Sequence, residues 1–468
     1  MGIQTSDLSL NERVEKNLAD VFMRASIARA QDLLGQKRAD AFEELGDYEI
    51  WRENAATARS HVLKNLDVYL SRFADRAAEN GAGVFFARTG REAADHALEI
   101  FGEIGAKKIV KSKSMVTEEI NLNESLEAAG LEVVETDLGE YILQTDDYDK
   151  PSHIVVPALH KDREAIRKIF AEKKGYAGDN QPEHIAAFVR KEIRKDFLTA
   201  DAGVTGCNFG VAESGTVTLV TNEGNGRFVS TAPETQIVFM GMERVAASFA
   251  DLDILLTLLI RSAVGARLTS YLSLATGPAR ENETDGPKRL EIIIVDNGRS
   301  DVLAGPFREV LRCVRCGTCM LACPVYRQIG GHGYGTLYPG PLGLALAPAM
   351  AGHEACHDIV RLCSLCGACD DVCPVKIPLY RLILAHRRVI AEEKKLSGKG
   401  EALAMGLFGR LFANPALYDA AARRARLGRF LPEIGPLKNW TRDRELPRFP
   451  EQSFRAWMEK RSPKGGRP

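Results

Sequence analysis

Residues 313–324 read CVRCGTCMLACP, and residues 363–374 repeat the same spacing as CSLCGACDDVCP. Each run crowds four thiols into one turn and the start of one helix, so the chain builds the same arrangement twice. Eight of the ten cysteines lie in these runs, while Cys207 and Cys356 stand apart. Disulfides account for them poorly, because a chain this long needs no staples and a reducing cytosol would not keep them. Zinc also takes four thiolates, but its sites normally pair two CxxC knuckles across a longer interval. Here the third cysteine follows at once.

In CxxCxxCxxxCP three thiolates surround one iron–sulfur cluster while the fourth departs on the next helix, and in two-cluster ferredoxins that fourth thiolate ligates the other cluster. The spacing predicts two 4Fe-4S clusters. Cys313, Cys316, Cys319 and Cys373 are expected to hold the first, and Cys363, Cys366, Cys369 and Cys323 the second. Gly317 and Gly367 stand where the backbone must curl between ligands, and Pro324 and Pro374 set the chain direction without offering an N–H. About forty residues separate the runs. REVLRC and HEACHDIVRLC are helix-friendly, which suggests a mainly α-helical module. The intervening YRQIGGHGYGTLYPGPLGLALAPAMAG lacks the strand that a nucleotide loop requires and reads as a loop packed over the clusters, although His332, Tyr334 and Tyr338 could instead face a docking partner. Cys356 reads as a small buried residue with a spare-ligand role left open, and His353 and His357 as surface or packing residues.

The remaining composition is that of an ordinary globular chain. Its 468 residues are 45% hydrophobic and 27% charged, with a formal net charge of -1. That is enough for two or three packed domains, and no global field draws it to nucleic acid or an anionic membrane. MGIQTSDLSLNERVEK lacks the basic start and apolar core of a secretory signal, so a cytoplasmic location is expected. The apolar runs at 252–260 and 341–352 fall short of the ~20 residues that span a bilayer, so no transmembrane segment is expected.

Upstream of residue 300, GVFFAR, KIVKS, LEVVET, HIVVPA, TVTLVT, TQIVFMG and LEIIIVD are short β-branched runs, several of them alternating with helical patterns. This predicts an α/β domain with a parallel sheet. Residues 8–80 read as amphipathic helices wrapping it. The expected organisation is an N-terminal helical extension over 1–75, an α/β domain over 76–300, a ferredoxin-type domain over 301–395 and a C-terminal tail over 396–468. Within residues 201–230, Asp201, Asn208, Glu213, Asn222, Glu223, Asn225 and Arg227 are interspersed with glycines. They could line a pocket at strand ends, or serve tight hairpin turns. KSKSMVTEEINLN places Lys111, Ser112, Lys113 and Ser114 before a helix opened by Thr117, with Glu118 and Glu119 in its first turn, which is either an anion-binding helix start or simply a well-capped one.

The succession KSKSMVTEEINLN, ETDLGEYILQ, GVTGCNFGVAESGTVTLVTNEGNGR, IIIVDNGRS, the two cysteine runs, CPVYRQIGGHGYG and RELPRFPEQSFRAWMEKR resembles the iron–sulfur subunit of the bacterial lactate utilization system, the lactate utilization protein B family. The resemblance covers almost the whole chain. It implies a sheet domain similar to the isomerase and CoA-transferase-like α/β fold, followed by the ferredoxin module and a short tail. It also implies a role in oxidising L-lactate to pyruvate with two companion proteins.

Taking two electrons from a hydroxy acid requires a base and a two-electron acceptor, whereas 4Fe-4S clusters accept electrons singly, so a flavin- or cluster-bearing redox partner must bridge the gap. No full GxGxxG, P-loop or GxSxG occurs. Three readings compete: an electron-transfer subunit, a self-contained oxidoreductase using the α/β pocket, and a cluster-bearing scaffold. The first leads. In the tail, Trp440, Phe449, Phe454 and Trp457 are interspersed with Arg, a composition suited to partner docking.

Overall fold

The computed structural model describes residues 3, 5–424, 452 and 454–461. The chain divides into two compact units, residues 1–390 and 391–468.

The first unit opens with four helices, Leu10–Ala19, Val21–Leu45, Tyr48–Lys64 and Leu66–Glu79. Local chemistry starts the first two. Ser9 and Glu12 form a capping box, and the Asp20 carboxylate accepts from the Met23 N–H, so N–H groups orphaned at each helix start find partners. These helices do not merely wrap the sheet domain as their amphipathic pattern suggests; they also pack against the cysteine-bearing module. Arg59 explains why. Its buried guanidinium donates to the carbonyls of Glu243 and Val245 in the α/β domain and of Leu311 and Arg312 just before the first cysteine.

Ten strands follow: β1 Gly83–Ala87, β2 Lys108–Lys111, β3 Glu132–Glu135, β4 Ala202–Gly206, β5 Phe209–Val211, β6 Thr216–Thr221, β7 Thr235–Gly241, β8 Val245–Ala246, β9 Tyr271–Ala275 and β10 Arg289–Val295. Six of them form an all-parallel sheet in the order β1-β10-β7-β4-β2-β3. Successive side chains point to opposite faces, so Ile109 and Val133 join one core with helices Gly90–Glu103 and Leu122–Ala128. Val110 and Val134 join the other with helices Leu138–Thr145, Arg163–Lys174 and Pro182–Thr199. Burying each such aliphatic side chain stabilises by about 1.5–3 kcal/mol, and an Asp at Val110 would break the second core. The remaining strands form a mixed sheet, β8-β5-β6-β9.

Three local expectations fail. HIVVPA is not a strand: Ser152 N–H reaches Pro157 O across a closed loop, and His153 Nδ1 accepts from the Val155 and Val156 N–H groups, which meets its backbone needs without a ladder. PLGLALAPAMAG is not a loop over the clusters but most of a helix, Gly340–Ala351, buried nearly all round. Uniform apolarity hides helical periodicity, and Pro341 sits in the first turn, where the missing N–H costs nothing. Third, helix Met115–Glu119 starts ahead of Thr117 and is capped by Ser114.

Beyond β10 the module is built from short turns. The 3₁₀ turns Arg308–Arg312 and Ile359–Leu362 lead into the cysteine runs, helices Thr318–Leu321 and Ala368–Val372 follow within them, and helix Leu379–Arg388 packs on Gly340–Ala351. The second unit contains helices Lys399–Ala413, Pro415–Arg424 and Phe454–Arg461, with Arg455 paired to Asp419 at 2.8 Å. Phe454 and Trp457 stack there with centroids 5.8 Å apart, whereas Trp440 and Phe449 lie outside the described residues. Among the described residues no helix is long and apolar enough to cross a membrane.

Candidate metal centre

The two cysteine runs fold as near copies. Arg315 and Leu365, between the first two cysteines of each run, take positive φ of 61° and 57°. Their N–H groups then point back to Cys313 Sγ and Cys363 Sγ, both at 3.3 Å. Gly317 and Gly367 follow at φ 76° and 81°, left-handed positions that glycine takes without steric cost. After the last cysteine of each run, Tyr326 N–H approaches Cys323 Sγ at 3.5 Å and Ile377 N–H approaches Cys373 Sγ at 3.3 Å. Backbone N–H groups aimed at sulfur favour thiolate, the form that binds metal.

The fourth thiol of each run feels the charge of thiols in the other run. Burial pushes the Cys373 thiol up to about 11, with repulsion from Cys313 adding to it. Burial likewise raises Cys316, with Cys313 and Cys373 adding repulsion. Cys323 is raised by burial with a contribution from Cys363, and Cys369 by burial, Asp370, Cys363 and Cys323. The spacing discriminates between metals. A tetrahedral zinc site with Zn–S near 2.3 Å would bring sulfurs to about 3.8 Å of one another, yet among the described residues no three of these thiols come within 4.8 Å. That spacing does not fit a single zinc ion.

Buried and half-buried cations and an amide clamp the carbonyls of these turns. Arg52 Nε donates to Cys373 O at 2.9 Å and Arg244 to Cys313 O at 2.7 Å, Arg387 holds Cys363 O, and Gln31 Nε2 holds Cys323 O at 3.1 Å. Sequence reading missed all four, because no local pattern marks a guanidinium whose carbonyl partner is far along the chain. A further network ties the α/β domain to the module: Arg299, 1% exposed, pairs with Glu119 and Glu243, Arg315 lies over the Tyr338 ring, and Tyr338 OH donates to Glu119 at 2.8 Å. Tyr334 and Tyr338 are fully buried, so they face no docking partner. His353 is bonded to His386 at 2.9 Å, and Cys356 is buried beside Asp358. His332 lies near Asp149 and His160, but Lys161 already bridges to that carboxylate and His332 Nε2 meets Lys150 O at 2.7 Å.

The glycine-rich block does not converge on one point. Asn208 Oδ1 accepts from Val220 N–H across the β5–β6 hairpin, Glu213 accepts from Phe249 N–H, and Asn222 accepts from Thr269. Asp201 accepts from Lys107 and Lys108 N–H at the foot of β2. Arg227 lines a groove of about 630 Å³ with Thr205, Gln236 and Arg280. Glu223 and Asn225 lie elsewhere, against the carboxyl ends of β2 and β3: Glu223 accepts from Leu138 N–H, and Asn225 Nδ2 donates to Thr136 Oγ1 at 3.3 Å. There they meet the Lys-Ser-Lys-Ser turn. The structure thus joins parts of two sequence blocks that separate motif reading kept apart.

An α/β domain with a parallel sheet, joined to a helical module that carries two matching four-cysteine turns, defines an iron–sulfur protein of the two-cluster ferredoxin class. Comparison with known sequences agrees: the LUD domain matches residues 70–295, the 4Fe-4S dicluster domain residues 309–377, and the lactate utilisation protein B C-terminal region residues 384–463. The chain belongs to the lactate utilization protein B family. It is 48% identical to lactate utilization protein B of Lysinibacillus sphaericus, covering 99% of each chain, and 50% identical to that of Geobacillus thermodenitrificans, covering 98% of each. It is also 49% identical, over 98% of each chain, to the electron transport protein YkgF of Escherichia coli. Among solved structures, a DUF162 family protein from Deinococcus radiodurans aligns with 49% of this chain and 98% of its own at 15% identity and a TM-score of 0.29.

Proposed function

We propose that this chain is the iron–sulfur electron-transfer subunit of a cytoplasmic complex that oxidises L-lactate to pyruvate. In this reading Cys313, Cys316, Cys319 and Cys373 hold one 4Fe-4S cluster, and Cys363, Cys366, Cys369 and Cys323 hold the other. The observation that supports it is the doubled cysteine turn, in which the Arg315 and Leu365 N–H groups reach Cys313 Sγ and Cys363 Sγ, both at 3.3 Å, and the fourth thiol of each run feels the charge of the other run. When bound, the clusters supply one-electron relay stations. The protein's part is to present N–H groups to sulfur and to set Arg52, Arg244 and Arg387 beside their negative charge.

Single-electron carriers imply companion subunits, one of them bearing a flavin or a further cluster that takes the electron pair from the hydroxy acid. Helix Phe454–Arg461 supports a docking role for the tail, since Phe454 is 73% exposed among basic residues. The test is anaerobic purification with and without the companions. About eight irons and as many sulfides per chain are expected, and L-lactate should reduce the clusters only when the companions are present. Stoichiometric zinc without sulfide would sink the cluster assignment, and companions that leave the clusters oxidised under lactate would sink the role. Cys373→Ala should damage the cluster held by Cys313, Cys316 and Cys319; loss of the other alone would overturn the crossing.

A further inference from the structure

The turn Lys111–Ser114 runs on from the carboxyl end of β2, and the side chains there divide by face. Lys111 continues the Ile109 face, where it is bound to Glu118 and Glu135 at 3.0 and 2.6 Å. Ser112 continues the Val110 face, the one on which helix Leu138–Thr145 packs. In and around this turn four buried polar atoms have no hydrogen-bond partner: Ser112 Oγ and Lys113 Nζ within it, His153 Nε2 on a ring that feels the Lys113 charge, and Asn225 Oδ1 on a side chain linked through Thr136 to Lys111 O. Ser112, His153 and Asn225 are 2%, 3% and 9% exposed. Buried polar groups left unpaired cost about 1–3 kcal/mol each, so a cluster of four at the carboxyl ends of parallel strands, where α/β sheets bind ligands, calls for an occupant.

The hydrogen-bond roles of these atoms follow from their neighbours. His153 Nδ1 accepts from Val155 and Val156 N–H at 3.0 and 3.1 Å, so the ring proton sits on Nε2, which is a free donor. Burial holds this imidazole down to about 3, and the nearby Lys113 charge lowers it further, so it stays neutral. The Thr136 hydroxyl donates to Lys111 O at 2.9 Å and must therefore accept from Asn225 Nδ2, which leaves Asn225 Oδ1 as a free acceptor. Lys113 Nζ lies 3.5 Å from a Glu140 carboxylate oxygen, and Glu223 also feels its charge. Burial raises the Glu140 carboxyl to about 8 against the opposing pull of the Lys113 charge. Three donors, one of them cationic, beside one acceptor match a carboxylate whose adjacent carbon carries a hydroxyl. Lys113, with its side chain 16% exposed, and the exposed Glu223 mark the side open to solvent.

We propose that Ser112, Lys113, His153 and Asn225 form a binding site on this chain for a small 2-hydroxymonocarboxylate, seated beside the first cysteine turn. The placement follows from His153, since a Cβ at Gly317 would lie 3.2 Å from His153 Cε1 and 3.3 Å from Val155 Cγ2. The site therefore abuts the loop between Cys316 and Cys319. The proposal concerns binding alone and requires no bond to form or break on this chain. It rests on the lactate reading above and adds that the hydroxy acid touches this subunit.

Calorimetry on the anaerobically prepared full-length chain tests it, with sodium L-lactate, pyruvate, propionate and inorganic phosphate as probes and iron content measured alongside. L-Lactate should bind, with pyruvate and propionate about tenfold or more weaker because neither offers a hydroxyl to Asn225 Oδ1. Lys113→Gln should weaken lactate binding about ten- to a hundredfold, equivalent to about 1.4–2.7 kcal/mol, and Ser112→Ala should weaken it by a smaller factor. If Lys113→Gln loses iron, Ser112→Ala carries the comparison. Phosphate binding in preference to lactate, equal affinity for propionate, or undiminished binding by both variants would overturn the site. Reduction of the clusters by lactate in the full complex, with no lactate bound by the isolated chain, would overturn the site and leave the electron-transfer role standing.

Discussion

Gly317 and Gly367 occupy the same place in the two cysteine turns, with φ of 76° and 81°, yet their surroundings differ. Replacing each by Ala is therefore an internally controlled perturbation. Both variants must hold a side chain in the left-handed region, which costs roughly 1–2 kcal/mol. At Gly367 nothing lies within 4 Å of the new Cβ, so that cost stands alone. At Gly317 the Cβ meets His153 at 3.2 Å and Val155 at 3.3 Å, both in a buried loop closed on itself. Neither neighbour is the free end of a flexible chain, so crowding should add about 1–3 kcal/mol. The assay is anaerobic cluster loss to an iron chelator, followed by absorbance, with spin resonance to identify the cluster lost. Loss proceeds through local opening, so its rate follows the opening equilibrium. Gly317→Ala should lose its cluster roughly 5- to 150-fold faster than Gly367→Ala loses the other, by the usual tenfold per 1.4 kcal/mol. Equal acceleration, or faster loss from Gly367→Ala, would refute the contact between the α/β domain and the first turn.

Arg59→Met should unpair the carbonyls of Glu243, Val245, Leu311 and Arg312 at once. At about 1–3 kcal/mol for each buried acceptor, the loss is at least ~4 kcal/mol, read as a lower urea midpoint or insoluble protein; an unchanged midpoint would contradict the clasp. Glu140→Gln should alter the pH dependence of stability. The native carboxyl is raised to about 8 chiefly by burial, so between its unfolded value near 4.5 and about 8 the folded state binds more protons and wild-type stability falls as pH rises. The variant should match the wild type near pH 5 and exceed it by a few kcal/mol, in order of magnitude, near pH 9; parallel pH profiles would count against the buried carboxyl. Deleting residues 436–468 should leave iron content intact and abolish co-purification with companions; loss of iron instead would assign the tail a structural role.

The cysteine runs were legible because their chemistry is local: ligands three or four residues apart, with a glycine where φ turns positive, describe a cluster whatever surrounds them. The parallel sheet was legible for a similar reason, since runs such as TQIVFMG and LEIIIVD carry their burial on both faces within seven residues. HIVVPA misled because a β-branched run specifies a strand only when a neighbour offers a ladder, and here His153 and Pro157 close the backbone on itself. PLGLALAPAMAG misled because a helix buried all round has no polar face to set its period.

Other features depended on folding alone. Arg52, Arg59, Arg244 and Arg387 read as ordinary charged residues until the fold set their guanidinium groups against the carbonyls of distant segments. The glycine-rich block offered seven polar candidates with equal claims, and only tertiary contact separated Glu223 and Asn225 from those that close hairpins and cap strands. Ser112 and Asn225 are over a hundred residues apart in sequence. A polar group buried without a partner is a property of packing from every side, which no window of sequence contains, whereas a ligand spacing is a property of one turn of backbone.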